Sequence, residues 1–146
     1  MTPTVRALYM ADHSAVSRIQ RHQSVREAFD RLNDSAGVIC SCAVTADDAA
    51  FSARNPSELQ QILHIYTEAF RHLSMDPAID PIVRSIRQQL WTAGQGRSAQ
   101  ATDILIAATA VHYGAAVLHY DKHFELISAA YPALRRRWIV PRGSIA

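Results

Sequence analysis

Short runs that are apolar on both faces recur along the chain, and a segment of helical periodicity separates each from the next. VRALYMA (5–11) reads as a buried strand that ends at Asp12. Residues 13–34 follow as a helix with Val16, Ile19, Val25, Phe29 and Leu32 facing inward. GVICSCAV is a second strand, followed by a helix from about Asp47 to Arg54. Asn55-Pro56 breaks the pattern, and Asn55 or Ser57 caps a long helix through Arg71. HLSM (72–75) is a short third strand, and Ile79–Ala93 is helical with Ile82, Ile86 and Leu90 on one stripe. After the loop GQGRSAQ (94–100), residues 103–113 form an apolar helix stopped by Gly114. AAVLHY is then a strand, KHFELISAAY a helix and RWIV a closing strand. Strands apolar on both faces need cover on both sides. The expectation is therefore an α/β fold, a three-layer α/β/α sandwich around a central parallel sheet of four to five strands. Its 146 residues suit a single domain spanning 1–146.

Composition narrows the function classes. Hydrophobic residues make up 49% of the chain, with 5 Gly and 6 Pro, which argues against disorder. No apolar run reaches bilayer length, and the N-terminus lacks a signal-type cleavage site, so a cytoplasmic protein without membrane contact is expected. Cys40 and Cys42 stand two apart in a strand, on one face and poorly placed to bond to each other; free, buried, reduced thiols are expected. The net charge of +2 does not announce nucleic acid. Lys122 is the lone lysine among the cations. Arg grips phosphate better, but a GC-rich genome accounts for the same bias.

The acids carry the chemistry. Asp12 follows the first strand, Asp47 and Asp48 the second, Asp121 the fourth, and Asp103 opens the apolar helix. In an open parallel sheet, ligands bind beyond the carboxyl ends of the strands, so Asp12, Asp48, Asp103 and Asp121 converge on one edge. Each also suits a helix cap; Thr45-Ala-Asp-Asp48 reads as a capping box with Thr45 as N-cap. Crowded carboxylates repel one another, and a hard divalent cation such as Mg²⁺ or Mn²⁺ removes the conflict while leaving positions for phosphate and water. Phosphoester hydrolysis follows as the favoured chemistry. The chain has no Gly-rich phosphate loop and no HExxH, and no Cys or further His stands at zinc-ligand spacing beside His119 and His123.

Strand-Asp12-His13-Ser14, an acid after T-x-x, and TDILIAATAVHYG followed by VLHYDKHFELI together resemble a PIN-domain ribonuclease of the VapC toxin type, nearly end to end. The resemblance implies that Asp12, Asp103 and Asp121 hold the metal, that Asp48 completes the acid cluster, and that Ser14 supports the site by hydrogen bonding. It also implies Mg²⁺- or Mn²⁺-dependent cleavage of RNA, including structured RNA such as tRNA, control by a small VapB-type antitoxin, and a homodimer. Two positions depart from the pattern: Asp48 stands where the family generally has Glu, and His123 where it often has a second Asp. Each weakens the expected metal site. The alternative is therefore a PIN-like module that binds RNA or an antitoxin without cleavage. Candidate phosphate contacts are Arg97, Lys122 and the run Arg135, Arg136, Arg137, which guards a sheet edge equally well. Ile62, Ile65 and Phe70 are candidates for a dimer face or for core.

Overall fold

A computed structural model describes residues 6–146, so Val5 of the first expected strand lies outside the described residues. Five strands form one sheet in the order β3-β2-β1-β4-β5: β1 (Leu8–Ala11), β2 (Val38–Ser41), β3 (Arg71–His72), β4 (Ala116–His119) and β5 (Arg135–Trp138). Every pairing is parallel. The helices are α1 (His13–Val16), α2 (Gln23–Asp34), α3 (Ala43–Phe51), α4 (Pro56–His64), α5 (Ile79–Thr92), α6 (Ala101–Tyr113) and α7 (His123–Ala130). The expected α/β/α sandwich is what the chain forms.

Two apolar clusters cover the two faces of the sheet. On one, Met10, Cys40, Val117 and the buried residues of α5, α6 and α7 pack together. On the other, Ala11, Ile39 and Leu118 meet Val25, Phe29 and Leu32 of α2, and Ile139 and Val140 beyond β5. Cys40 and Cys42 are free and fully buried. The helix α6 is buried almost all round, because it lies between the sheet and α5. Gly114 ends it at φ 68°, a left-handed conformation that glycine adopts without a Cβ clash.

Several boundaries differ from the sequence expectation, each for a local reason. The helix expected over 13–34 is two: α1 stops after one turn, and the extended His22 (φ −130°) restarts the chain into α2. The helix α3 begins at Ala43 rather than near Asp47. The Thr45 hydroxyl turns back to accept the Cys42 N–H at 2.9 Å, so Thr45 occupies the third helical position and Cys42 the cap. Asp48 consequently sits in the second turn, not the first. Asn55 caps α4 as expected, through Glu58 N at 2.8 Å. Beyond His64, however, the helix widens into a π turn over Ile65–Ala69, and the third strand starts at Arg71 and is only two residues long. The last strand uses Arg135–Trp138, two residues earlier than RWIV.

Candidate active site

The carboxyl ends of β1 and β4 are stitched together around Asp12. Its backbone N–H donates to Leu118 O at 2.9 Å, so the residue leaves the sheet level with β4. One carboxylate oxygen, Oδ2, accepts the Ser14 N–H at 3.1 Å and the Ser14 hydroxyl at 2.5 Å. The same hydroxyl oxygen accepts the Tyr120 N–H at 2.9 Å. Asp12 is thus both the N-cap of α1 and a buried carboxylate, 5% exposed. Burial raises its pKa above the usual value; the Ser14 bonds oppose the rise, and the charges of Asp48 and Asp121 add to it.

Asp121 follows β4 and accepts the His123 N–H at 2.9 Å, which starts α7. Asp103 lies in the first turn of α6. The imidazole Nδ1 of His123 stands 3.0 Å from Asp121 Oδ1 and 3.5 Å from Asp103 Oδ2. Ligand atoms of Asp103, Asp121 and His123 all fall within 4.8 Å of one another. Burial, then the charges of Asp121 and Asp12, push the Asp103 pKa from 3.8 up to about 6, with His123 pulling the other way. The four expected acids therefore fall in one region, but not as one tight group. Asp103 and Asp121 converge with His123; Asp12 stands beside them, and Asp48 couples to Asp12 from α3. Asp48 is half-buried while Asp47 is exposed, as their positions on a helix require.

A PIN domain model matches residues 9–130. The chain belongs to the PIN-domain family. Ribonuclease VapC51 of Mycobacterium tuberculosis is 34% identical over 137 residues, covering 94% of this chain and 96% of that protein. Ribonuclease VapC21 of the same organism is 29% identical over 136 residues, covering 93% and 96%. In structure, the chain resembles VapBC2 from Rickettsia felis bound to a promoter DNA fragment, with a TM-score of 0.74, 16% identity and coverage of 90% and 98%. The DNA-bound VapBC from Salmonella typhimurium gives a TM-score of 0.72 at 21% identity, covering 92% and 99%. At those identities the likeness is one of fold.

The basic candidates of this PIN domain divide. Lys122, next to Asp121, and Arg97, in the loop before α6, are exposed. Arg135 donates to Gly114 O and Arg136 Nε to Ser128 Oγ at 3.2 Å, so both tie the edge strand to its neighbours. Arg137 lines a surface cleft with Arg31 and Asp34, on the α2 side of the sheet.

Two buried groups escaped the sequence reading. His119 is fully buried between the rings of Phe124 and Trp138, and its Nδ1 accepts the Asp121 N–H at 3.3 Å. Burial, with Arg136 nearby, lowers its pKa to about 4, so it is neutral. Tyr66 is 2% exposed and feels the charges of Asp12 and Asp48. His119, noted only as a neighbour of Asp121, lies in a strand that reads as simple core. Tyr66 falls where the sequence predicted an uninterrupted helix, so its direction was not legible.

Proposed function

We propose that this PIN-domain protein is a Mg²⁺-dependent endoribonuclease toxin of the VapC type, acting in the cytoplasm and held in check by a VapB-type antitoxin. The observation that carries the metal reading is the meeting of Asp103, Asp121 and His123 within 4.8 Å, with Asp12 buried beside them. The donor set fits a hard cation. It offers carboxylate oxygens, and Asp103 is held near a pKa of 6 chiefly by burial and by its acidic neighbours, a conflict that a divalent ion relieves. Mn²⁺ suits the same oxygens. A divalent ion held there would supply Lewis-acid polarisation of a phosphate oxygen and a more acidic bound water.

The chain's own residues supply the rest. Asp12, Asp103 and Asp121 hold the metal, and Asp48 completes the negative pocket. Ser14 fixes the Asp12 carboxylate and joins it to β4. His123 sets its Nδ1 against both acids, 3.5 Å from Asp103 Oδ2 and 3.0 Å from Asp121 Oδ1. Exposed Lys122 and Arg97 are the candidates for contact with RNA phosphates, which Arg135 and Arg136, engaged within the fold, are less free to make. Relatives named as VapC ribonucleases, and VapBC complexes with the same fold, support RNA as substrate and a VapB-type antitoxin as partner. A homodimer belongs to the same proposal, with exposed Ile65 available for it.

The presence of His123 between the two acids favours a second reading, a site with too few anionic ligands to hold metal, in a module that binds RNA or an antitoxin without cutting. Calorimetric titration with Mn²⁺, alongside RNA cleavage, separates the two. The nuclease reading expects uptake of Mn²⁺ by the parent, loss of that uptake in Asp103→Asn and Asp121→Asn, and parallel loss of cleavage. Cleavage by Asp103→Asn at the parental rate rules it out.

A further inference from the structure

Tyr66 carries a cost that the fold alone does not explain. Its hydroxyl is sealed from solvent and has no hydrogen-bond partner among the described residues. An unsatisfied buried donor costs about 1–3 kcal/mol, which phenylalanine would avoid with the same ring. The ring is held nevertheless. Phe70 packs against it edge-on, with centroids 5.3 Å apart.

The backbone of Tyr66 lies beside the site. Tyr66 lies in the π turn that interrupts the end of α4, a local widening often found at functional positions. The Ser41 hydroxyl donates to Tyr66 O at 2.8 Å. Ser41 closes β2, and in the register of β2 with β1 the preceding Cys40 is level with Met10. The clamp therefore pins Tyr66 at the carboxyl end of β2, one strand away from the point where Asp12 leaves β1. Burial and the charges of Asp12 and Asp48 keep the phenol protonated. It is a buried donor without an acceptor, within the field of two carboxylates.

We propose that Tyr66 is a positioning residue: its hydroxyl holds the Asp48 carboxylate toward Asp12, directly or through one water, when a divalent cation draws the acids together. The inference rests on the metal-dependent reading above and extends it to a residue that is not itself a ligand. A neutral donor behind Asp48 orients the carboxylate without adding a positive charge that would compete with the cation. Groups that orient ligands in this way are typically worth about 10–100-fold in metal affinity.

Calorimetric titration with Mn²⁺ of the parent, Tyr66→Phe, Asp48→Asn and the double variant tests it, with thermal melting of each metal-free protein. Tyr66→Phe is expected to bind Mn²⁺ about 10-fold more weakly while melting at the parental temperature or above. In the Asp48→Asn background the same substitution should cost nothing further, because the hydroxyl acts through that carboxylate. Parental affinity in Tyr66→Phe, at whatever melting temperature, overturns the proposal, as does an equal loss in both backgrounds. A parent that takes up no Mn²⁺ removes the metal reading and this inference together. A parent that binds, with Tyr66→Phe unchanged, removes the inference alone.

Discussion

His123 places its Nδ1 3.0 Å from Asp121 Oδ1, so an imidazole fills the space between two carboxylates where a third acid would repel both. The metal-free pocket is quieter for it, at the expense of an anionic ligand. Replacement by an acid should reverse both effects. His123→Asp is expected to bind Mn²⁺ about 10-fold more tightly and to melt at a lower temperature in EDTA, because three carboxylates then share one pocket. Titration calorimetry and melting curves check it. Unaltered affinity would mean that His123 is outside the metal's reach.

The pH response of the metal-free protein should reveal Asp103. Its pKa is pushed from 3.8 up to about 6 on folding, so protonation favours the native state. That contribution is complete below about 4 and is lost as pH rises through 6. His119 runs the other way: its pKa falls from 6.5 to about 4, so its contribution is present above 6.5 and lost as pH falls through 4. The two overlap, and only the difference between parent and variant isolates one. Relative to Asp103→Asn, the parent in EDTA is expected to lose on the order of 3 kcal/mol between pH 4 and 7. Parallel melting profiles for the two proteins across that range would exclude the effect.

Ser14 ties three groups with one hydroxyl. It donates to Asp12, and the same oxygen accepts the Tyr120 N–H beyond β4. Ser14→Ala leaves a buried carboxylate with one fewer donor and an amide without its acceptor. A loss of about 2 kcal/mol is expected, which for a chain of this size lowers the melting temperature by several degrees. RNA cleavage should fall further than stability explains, because Asp12 is then free to turn. Full activity in a less stable protein would limit Ser14 to a structural role.

The contrast between Ser14 and Tyr66 shows how much of this molecule can be read from its sequence. Apolar runs ending in acids imply a parallel sheet, and the sheet rule brings Asp12, Asp103 and Asp121 to one edge. Ser14 is legible through the family resemblance, as the small hydroxyl residue beside the first acid. Asp48 is half-buried and Asp47 exposed even though α3 starts earlier than expected, because 3.6-residue periodicity separates the two whichever residue caps the helix. Tyr66 depends on a π turn and on a bond from Ser41, which is distant in sequence. Neither leaves a periodic trace. The place of the His123 ring likewise depends on where α7 begins, which Asp121 sets by accepting the His123 N–H.

The basic residues should separate by experiment into those that serve the fold and those that serve RNA. Arg136→Ala removes the bond to Ser128 and should lower stability while leaving the salt dependence of RNA binding intact. Lys122→Ala and Arg97→Ala should weaken RNA binding across sequences and reduce the slope of log affinity against log salt by about 1 each. Binding measured at several salt concentrations, with cleavage blocked by Asp103→Asn, checks this. A smaller slope in Arg136→Ala would return the edge strand to the RNA-binding surface.

Finally, the loop that delivers Asp103 depends on a glycine. A Cβ at Gly96 would stand 2.1 Å from the ring of Trp91, so the indole lies directly on the Gly96 backbone. Arg87 Nη1 binds Gly96 O and Ala99 O from below, each at 2.9 Å. These two contacts set the entry into α6, and with it the position of Asp103. Trp91 is 58% exposed, so in Gly96→Ala the ring can swing into solvent, with an expected loss of only about 1–2 kcal/mol of packing. Arg87→Ala removes the bonds to both carbonyls and should disturb Asp103 more. The expected order is therefore a red-shifted tryptophan emission with modestly weaker Mn²⁺ binding in Gly96→Ala, and a larger loss of Mn²⁺ affinity without that spectral shift in Arg87→Ala. If Gly96→Ala loses more affinity than Arg87→Ala, the indole rather than the guanidinium holds the loop in place.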